Sequence, residues 1–550
     1  MKEGGFSFRG LEMHGVRMWR SDRLAEAMDF ANAHGMTALV LHHNGIIHES
    51  TFPKAYFDDT KRSGYAPVRR GQNAIYARQA YLRDLLKQAQ RKGLEVWIEV
   101  KEIEFSDEVT EKFPQLCKNG IICPTEPVWF EYLYVKTDEF FELYPSVAGI
   151  ILSPGSPESR AFLSAGKKCN CERCRATDFG DWCYDIIMAT YGSVQAHGKK
   201  LAVRDFVYTP DDHEKLARII TRTPDDVIFC IKTSPRDFWP TFPENPMLGR
   251  FPDRVQWVEY DTFGQFYGWG VCPSIMLKDL RERLGYARAQ GVTGALIRTE
   301  WERVDVSAFD HLNKINLIAA SQFTQSLETT DEEIVLRWLR EDGWLRGGSE
   351  AAVDVAGLTR FLNRTWPIMR KILYVADYAF AASSMFPLDV NNAWYTMLFY
   401  HCLSEWDRSA AGRLDLNDQN LARHFAEKDE AQREVRQLLA DLDRNDFGLS
   451  RAAHSALKRE FQFYDICARG FALTTRACLL ARALQEGTFE PSRLGELRDE
   501  QEKTLAELSG YVAELKTFEE TTSHPFYVYM MLNYRNAQGI LEQAAEMLRN

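Results

Sequence analysis

The 550-residue chain is too long for one compact core, and its 45% hydrophobic and 26% charged residues are typical of a soluble globular protein. A net charge of −11 without any block of lysines and arginines excludes the usual nucleic-acid and anionic-membrane partners. The sequence predicts neither a signal peptide nor a membrane span of about 18 apolar residues. Its 11 cysteines, an odd number, favour a reducing cytoplasm. We expect a cytoplasmic protein of two or three domains.

Short β-rich runs alternate with longer helical patterns through the first part of the chain. The strand candidates are residues 9–15, 37–44, 94–100, 149–154, 201–208, 227–234, 254–261 and 294–300. Amphipathic runs such as SDRLAEAMDFANAHG, which opens on a Ser/Asp cap and stops at Gly35, lie between them. Eight strands, each followed by a helix or long loop, predict a (β/α)8 TIM barrel over residues 1–325. An open doubly wound sheet would carry a glycine-rich phosphate turn after its first strand, and MHGVRMWR is not one.

From about Thr329 the pattern becomes purely helical. The stretch TTDEEIVLRWLRED begins with a Thr-x-x-Glu capping box, and apolar residues then recur at spacings of three and four. Residues 326–550 are therefore predicted to form an all-α-helical C-terminal domain. Because no low-complexity linker separates it from the barrel, we expect the two parts to pack closely. The helical domain could provide a homodimer interface or cover the barrel mouth.

Charged and aromatic residues gather where the predicted barrel strands end, which is where barrel enzymes build their active sites. These residues are His42, His43, Asn44, Glu158, Arg204, Asp205, Lys232, Asp237, Glu259, Asp261, Arg298, Glu300 and Trp301. Sugar hydrolysis needs such a set: an acid for the leaving oxygen, a base for water, and flat faces for stacking. Individually, a strand-end acid is more often a helix cap or ion-pair partner, and Arg298 and Glu300 could simply pair with each other.

The stretch DDVIFCIKTSPRDFWP (225–240) is the most unusual of these strand ends. Its apolar strand runs directly into Lys232, and Asp237 follows among prolines and aromatic residues. Partial desolvation raises the pKa of a carboxyl group and a nearby lysine lowers it again, which leaves a base suited to activating water near neutral pH. The alternative is a loop acid that caps the following turn.

Four closely spaced cysteines follow the fourth predicted strand in KKCNCERCRATDFGDWC: Cys169, Cys171, Cys174 and Cys183. Four thiolates could bind a structural Zn²⁺ tetrahedrally. The spacing is not the paired Cys-x2-Cys of a standard finger or ribbon, so reduced structural thiols are the alternative. A four-cysteine site leaves no open position, and we expect the chemistry to require no cofactor.

The region from strand 6 to strand 7, DDVIFCIKTSPRDFWP, NPMLGRFP and VEYDTFGQFYGWG, distantly resembles family 67 glycoside hydrolases. These α-glucuronidases remove glucuronic acid from xylan side chains. GIILSPGSPESR and LAVRDFVYTPDD resemble the family's strands 4 and 5, and DHLNKINLIAASQFTQSLETTDEEIVLRWL resembles its passage into a helical domain. The resemblance covers roughly residues 30–345.

The resemblance implies roles for several carboxylates. The family's general acid follows strand 4, where Glu158 lies within one position of the match, and one general base matches Asp237 directly. The second base falls on Gln265, an amide that cannot accept a proton. Either Asp237 alone would activate water, or Glu259 or Asp261 would assist it.

The resemblance also implies that basic side chains hold the substrate carboxylate. Two of the family's three match Arg204 and Lys232, whereas the third falls on Ser153 or Pro154, which carry no charge. A uronate bound by one arginine and one lysine remains feasible.

We therefore predict an exo-acting glycoside hydrolase, expected to be inverting, that removes a terminal sugar from an oligosaccharide. An α-linked uronic acid is one candidate for that sugar. Further predicted substrate-binding residues are His43, Asn44, Trp239, Glu259, Asp261, Gln265, Trp269, Arg298, Glu300 and Trp301. A carbohydrate-binding protein that has lost turnover is the alternative suggested by Gln265, and a zinc-stabilised barrel with its chemistry elsewhere is a third.

Overall fold

The computed structural model describes residues 4–51, 54–57, 72–118, 120–156, 158–163, 169–205, 209–486 and 489–549. Eight of its strands are parallel and close into a barrel in which the last strand pairs with the first. They are β1 (Phe8–His14), β2 (Ala38–His42), β3 (Glu95–Lys101), β4 (Gly149–Ser153), β5 (Lys200–Arg204), β6 (Ile228–Lys232), β7 (Gln256–Asp261) and β8 (Gly294–Arg298). This confirms the predicted (β/α)8 TIM barrel. The end of the predicted fifth strand, 206–208, lies outside the described residues.

The barrel interior has an apolar lower layer and a charged upper layer, because alternate residues of a strand point to the same side. In the lower layer Trp257 stacks on Phe8 with ring centroids 3.6 Å apart. Only glycine fits beside them at position 294, where a Cβ atom would lie 2.1 Å from Trp257. Two residues further along the strands, the buried side chains become Glu12, His42, Glu99, Arg204, Lys232, Glu259 and Arg298.

Helices follow most barrel strands and cover the outside of the barrel. Those of the first part of the chain are Ser21–Ala33, Ile46–Ser50, Lys54–Phe57, Gln72–Arg91, Asp107–Lys112, Val128–Leu143, Glu172–Ala176, Phe179–Ala196, Pro210–Arg222, Leu277–Ala289 and Lys314–Phe323. Short 3-10 turns occupy Gly15–Trp19, Pro114–Leu116 and Ala308–Asp310, and a small hairpin pairs Cys117–Lys118 with Ile121–Ile122. Between β6 and β7 the chain runs as a long loop that carries Asp237.

The C-terminal part is mostly helical. Its helices are Asp331–Glu341, Val355–Asn363, Thr365–Leu373, Val390–Tyr395, Leu403–Trp406, Asp418–Arg444, Arg451–Glu486, Pro491–Thr521, Phe526–Met531 and Tyr534–Arg549, with a π-helix at Thr396–His401 and 3-10 turns at Arg346–Gly348, Glu350–Ala352 and Arg408–Ala410. The predicted capping box forms between Thr330 and Glu333. The expectation of helices alone is wrong in one detail, since Tyr374–Val375 and Tyr378–Ala379 form a two-stranded hairpin. No helix in the described ranges is long and apolar enough to cross a bilayer.

The helical part packs directly on the loop that follows β7. Tyr374 donates a hydrogen bond from its hydroxyl to the Phe266 carbonyl at 2.9 Å. Ser384 donates to the Gln265 carbonyl at 2.9 Å and accepts from the Gly268 N–H at 2.8 Å. These contacts hold a loop at the barrel mouth against the helices.

Candidate active site

One cavity opens at the carboxyl ends of the barrel strands. Its lining residues are His14, His42, Lys101, Glu158, Arg204, Lys232, Asp237, Gln265, Arg298, Trp301 and Glu302. The structure therefore brings both predicted catalytic carboxylates together with Arg204, Lys232, Gln265 and Arg298. Lys101, His14 and Glu302 were not among the predicted site residues.

Two carboxylates in the cavity are each paired with a buried lysine. The Nζ of Lys101 lies 3.2 Å from Oε2 of Glu158, and the Nζ of Lys232 lies 3.2 Å from Oδ1 of Asp237. The side chains of Glu158 and Asp237 keep 41% and 29% of their surface exposed. Both carboxylates can thus be reached from solvent, whereas the side chains of Lys101 and Lys232 are 1% and 6% exposed.

The cations of the cavity decide the charge of these two carboxylates. Burial alone would raise the pKa of Glu158, but Lys101, followed by Arg204 and Arg298, outweighs it and leaves the pKa below its usual value. Burial likewise opposes Lys232, Arg298 and Arg204 at Asp237, and its pKa is also lowered. Both groups are therefore ionised near neutral pH in the free protein.

Asp237 is held in an uncommon backbone conformation. Its φ angle is +52°, in the left-handed region that few residues other than glycine adopt and that aspartate tolerates better than most. Ser234 donates a hydrogen bond from its hydroxyl to the Asp237 carbonyl at 2.7 Å. The loop after β6 thus fixes the direction in which this carboxylate leaves the backbone.

Arg204 is anchored in the charged layer beneath the cavity. It donates to both carboxylate oxygens of Glu259 at 2.6 Å, and its Nε lies 3.3 Å from Glu99. Glu259 is fully buried and is not among the residues that line the cavity. Glu259 is therefore not placed to bind substrate as predicted. Both of its oxygens accept hydrogen bonds from Arg204, so it positions that side chain.

Two stacked histidines share this layer. The ring centroids of His14 and His42 are 3.7 Å apart, and Nδ1 of His42 lies 2.8 Å from Oε1 of Glu12. Burial holds the pKa of each histidine well below its usual value, and Lys101 and Arg298 lower both further. Glu12, His14 and His42 lie close enough to share a metal ion. The surrounding cations would repel such an ion, so we read this group as neutral hydrogen-bonding side chains.

Arg298 connects β8 to neighbouring loops instead of pairing with the Glu300 side chain. It donates to the Glu300 carbonyl at 2.8 Å, to Oε1 of Gln265 at 3.3 Å and to Glu302 at 3.2 Å. The Glu300 carboxylate accepts from the His14 N–H at 2.9 Å and from Arg17 at 3.1 Å. Burial raises the pKa of Glu300 to about 8. Glu300 therefore lies behind the cavity and is not placed to bind substrate as predicted.

Three other predicted binding residues, Asp261, His43 and Asn44, do not line the cavity. Asp261 accepts hydrogen bonds from the backbone N–H groups of residues 263–265, so it caps that loop, and burial raises its pKa to about 6. His43 points away from the cavity towards Trp19, with ring centroids 6.0 Å apart, and Asn44 does not line the cavity. Strand alternation explains the outcome for His43, because His42 faces inward and its neighbour must face outward, whereas Asn44 lies beyond the end of β2.

Of the three tryptophans predicted to bind sugar, one lines the cavity and two do not. Trp239 is 1% exposed and packs against Phe266, and Trp269 is 0% exposed with its indole N–H donating to the Gln265 carbonyl. The prediction that these two stack on sugar is wrong for this structure, because their faces are covered by protein. Trp301 lines the cavity and remains a stacking candidate.

Two aromatic residues that sequence reasoning passed over lie at this site. The ring centre of Phe238 is 5.1 Å from Lys232, 5.4 Å from Arg298 and 5.9 Å from Arg204. Tyr400 comes from the π-helix of the helical part, and its pKa is raised to about 12 by burial and then by Asp237. The helical part thus reaches the barrel mouth.

The cysteine cluster also differs from its prediction in one member. Cys169, Cys171 and Cys174 lie together, but the fourth thiol beside them is Cys123, from the loop after β3. Cys183 is buried in the helix Phe179–Ala196, with its sulfur facing Gly155. Helix geometry turns Cys183 away from the cluster, so its predicted role as a ligand is wrong.

No protein-family model and no curated protein matches the sequence. Among solved structures the fold is similar to a GH138 enzyme targeting pectin rhamnogalacturonan II, with a TM-score of 0.64 and 12% identity over 94% of this chain and 63% of that one. A GH115 4-O-methyl-α-glucuronidase with specificity for decorated arabinogalactans gives 0.45 with 8% identity over 99% and 61%. The β-N-acetylhexosaminidase from Bacteroides fragilis NCTC 9343 gives 0.40 with 14% identity over 61% and 70%. This chain spans less than two thirds of the GH138 structure. The likeness establishes a barrel fold found in glycoside hydrolases and does not single out family 67.

Proposed function

We propose that the protein is a glycoside hydrolase that acts on a sugar bearing a carboxylate. The observation that carries the proposal is the joint placement of Glu158 and Asp237 with Lys101, Arg204, Lys232 and Arg298 around one cavity. Two carboxylates are the minimum for acid–base hydrolysis of a glycosidic bond, and four cationic side chains at the same cavity offer charged hydrogen-bond donors to an anionic substrate.

In this proposal Glu158 is the general acid and Asp237 the general base. A lowered pKa suits Asp237, because a base must be ionised before water binds. The reaction would remove a terminal sugar with inversion, as the family 67 resemblance implies. Inversion requires carboxyl groups about 6.5–9.5 Å apart, with room for water between them.

Glu158 is ionised in the free protein and must gain a proton before it can act as the general acid. Its lowered pKa depends on Lys101, Arg204 and Arg298. A substrate carboxylate bound to these cations would neutralise part of their field, so the pKa of Glu158 would rise when the substrate binds. A neutral sugar would leave the acid ionised. The same cations would therefore bind an acidic sugar and couple its binding to protonation of Glu158.

Lys101 supplies the positive charge that the sequence comparison leaves missing. The family's third basic residue falls on Ser153 or Pro154, whereas Lys101 reaches the cavity from the neighbouring strand β3. Three or more cations around one sugar carboxylate are thus available in this chain. This supports a uronic acid, with α-glucuronosides as the first substrates to test.

The test is proton NMR of the purified protein with acidic and neutral α- and β-linked oligosaccharides. Each uronic acid substrate is paired with its carboxyl-reduced counterpart, which has the same linkage and no charge. We expect release of an acidic sugar, no release from the reduced partner, and loss of turnover in Asp237→Asn but not in the surface control Asp253→Asn. The anomer formed first distinguishes inversion from retention. Equal rates on both partners would contradict the role of the cations.

A carbohydrate-binding protein without turnover is the second candidate. It is favoured by Gln265, which lines the cavity and accepts a hydrogen bond from Arg298 where a second base is expected. Saturation transfer to an acidic oligosaccharide without any released sugar would make this the leading function.

A further inference from the structure

Four thiols from two separate loops meet beside the barrel. Cys123 follows the hairpin after β3, whereas Cys169, Cys171 and Cys174 follow β4, and their sulfur atoms all lie within 4.8 Å of one another. The Cys123 sulfur is 3.5 Å from that of Cys174 and 3.7 Å from that of Cys171. None of these four cysteines forms a disulfide in the described part of the chain.

The separations match the edges of a metal–thiolate tetrahedron. With zinc–sulfur bonds of about 2.3 Å, the sulfur atoms of a tetrahedral site lie about 3.8 Å apart. A disulfide would bring two sulfurs to about 2.05 Å and would leave the other pair without a reason to be close. The observed distances therefore suit a central ion better than a pair of disulfides.

A backbone donor and two basic side chains lie beside the cluster. The N–H of Cys174 donates to the Cys171 sulfur at 3.4 Å. Lys118 and Arg173 both bind Glu126 beside the cluster, at 2.5 and 2.9 Å. Together with Glu126 they leave one net positive charge, which helps to balance the charge that four thiolates leave on a divalent ion.

We propose that Cys123, Cys169, Cys171 and Cys174 bind one structural Zn²⁺ ion that ties the loop after β3 to the segment after β4. Four thiolates fill the tetrahedral shell, so the ion has no open position for a substrate or water. Soft thiolate ligands in this geometry select zinc or iron over the hard cations.

The position of this ion explains what it would stabilise. Glu158 lies on the segment between β4 and Cys169, and its partner Lys101 ends β3. The Cys123 carbonyl accepts from the Trp129 indole at 2.8 Å, and the Pro124 carbonyl accepts from Trp182 at 3.0 Å. The ion would therefore fasten the two loops that bring Lys101 and Glu158 together, at a distance from the reacting sugar.

The test uses the full chain, purified under reducing conditions without added metal. Elemental analysis by mass spectrometry is expected to find one zinc per chain in the wild type and little in Cys123→Ser or Cys171→Ser. Cys183→Ser is the matched control, because this cysteine is also buried and close in sequence but lies outside the cluster. Zinc retained in Cys123→Ser, or lost in Cys183→Ser, would overturn the assignment of ligands.

A second measurement protects the test against variants that fail to fold. A mercurial reagent added to the folded wild type should release zinc, detected with a colorimetric chelator. In a separate sample, zinc is removed with a chelator under reducing conditions, which leaves the thiols free, and added Co²⁺ should then give the intense sulfur-to-cobalt charge-transfer absorption of a tetrathiolate site. Iron in place of zinc would replace the ion but keep the ligands. A metal-free folded protein in which four thiols react freely would overturn the proposal. So would a chain mass that rises by two hydrogens for each disulfide when the protein is reduced, because the cysteines would then be joined to each other. None of these outcomes depends on glycosidase activity.

Discussion

Lys101, the last residue of β3, places its ammonium group 3.2 Å from the carboxylate of Glu158 on the neighbouring loop. This contact joins the proposed acid to the cations that would bind the substrate. It also makes the charge of Glu158 depend on whatever else approaches Lys101. Several consequences of this pairing can be measured.

Replacing Lys101 by glutamine should change both substrate affinity and pH dependence. Loss of one charge-assisted hydrogen bond to a substrate carboxylate should raise KM about tenfold or more. Since Lys101 lowers the pKa of Glu158, its removal raises that pKa. Activity that needs protonated Glu158 is lost as pH rises through this value, so the descending limb of kcat/KM should move to higher pH. Lys278→Gln, at an exposed surface pair, is the control. If the descending limb does not move, Lys101 does not set the pKa of the general acid.

Binding of an acidic sugar should draw protons from solution near neutral pH. The cations that hold the pKa of Glu158 down would be partly neutralised by the ligand, so this carboxyl would take up a proton on binding. Calorimetric titrations of a uronic acid in buffers of different ionisation enthalpy measure this uptake directly. Glu158→Gln should abolish it. Uptake that persists in the variant would assign the proton to another group.

Glu300 should weaken the protein as pH rises. Burial raises its pKa to about 8, so the folded protein binds a proton that the unfolded chain has released above the ordinary glutamate range. Stability therefore falls between about pH 4.5 and pH 8, because deprotonation in that window favours the unfolded chain. Urea unfolding midpoints of Glu300→Gln should show a shallower decline than the wild type over this range. The exposed residue Glu26, changed to glutamine, should leave the slope unaltered.

The tryptophans should divide into binding and structural residues. Trp301→Ala should raise KM about three- to tenfold, as expected for one stacking contact, and should also cost stability, because its side chain is only 5% exposed. Trp239→Ala should lower the free energy of unfolding by about 3–5 kcal/mol without raising KM, because it empties a buried site that does not line the cavity. Steady-state kinetics and urea unfolding on both variants give the comparison. A KM effect in Trp239→Ala at full stability would contradict the burial of this side chain.

The sequence allowed the barrel to be predicted, but not every residue at its mouth. Each of the eight predicted strands overlaps an observed one, because buried parallel strands are short apolar runs that end in charge. Lys101 was passed over because the predicted third strand stopped at Val100, one residue early. The alternation Trp97, Glu99, Lys101 carries the signal that would have placed it inside.

Other errors depend on contacts between distant parts of the chain. The burial of Trp269 involves the helical part, because Ser383 accepts a hydrogen bond from its indole at 3.1 Å. The choice of Cys123 over Cys183 depends on how the loop after β3 folds back towards the segment after β4. Neither relationship leaves a pattern in local sequence, because the partners are far apart along the chain.

The hydrogen bonds from Tyr374 and Ser384 to the carbonyls of Phe266 and Gln265 limit how this protein can be rearranged. Cutting the chain at the predicted boundary near residue 325 would strip these carbonyls of their donors and uncover Trp269. The barrel is consequently not expected to fold correctly without the helices. Any chimera that places this barrel mouth on another scaffold would have to carry the helices as well, and changes in the two parts are expected to be inherited together.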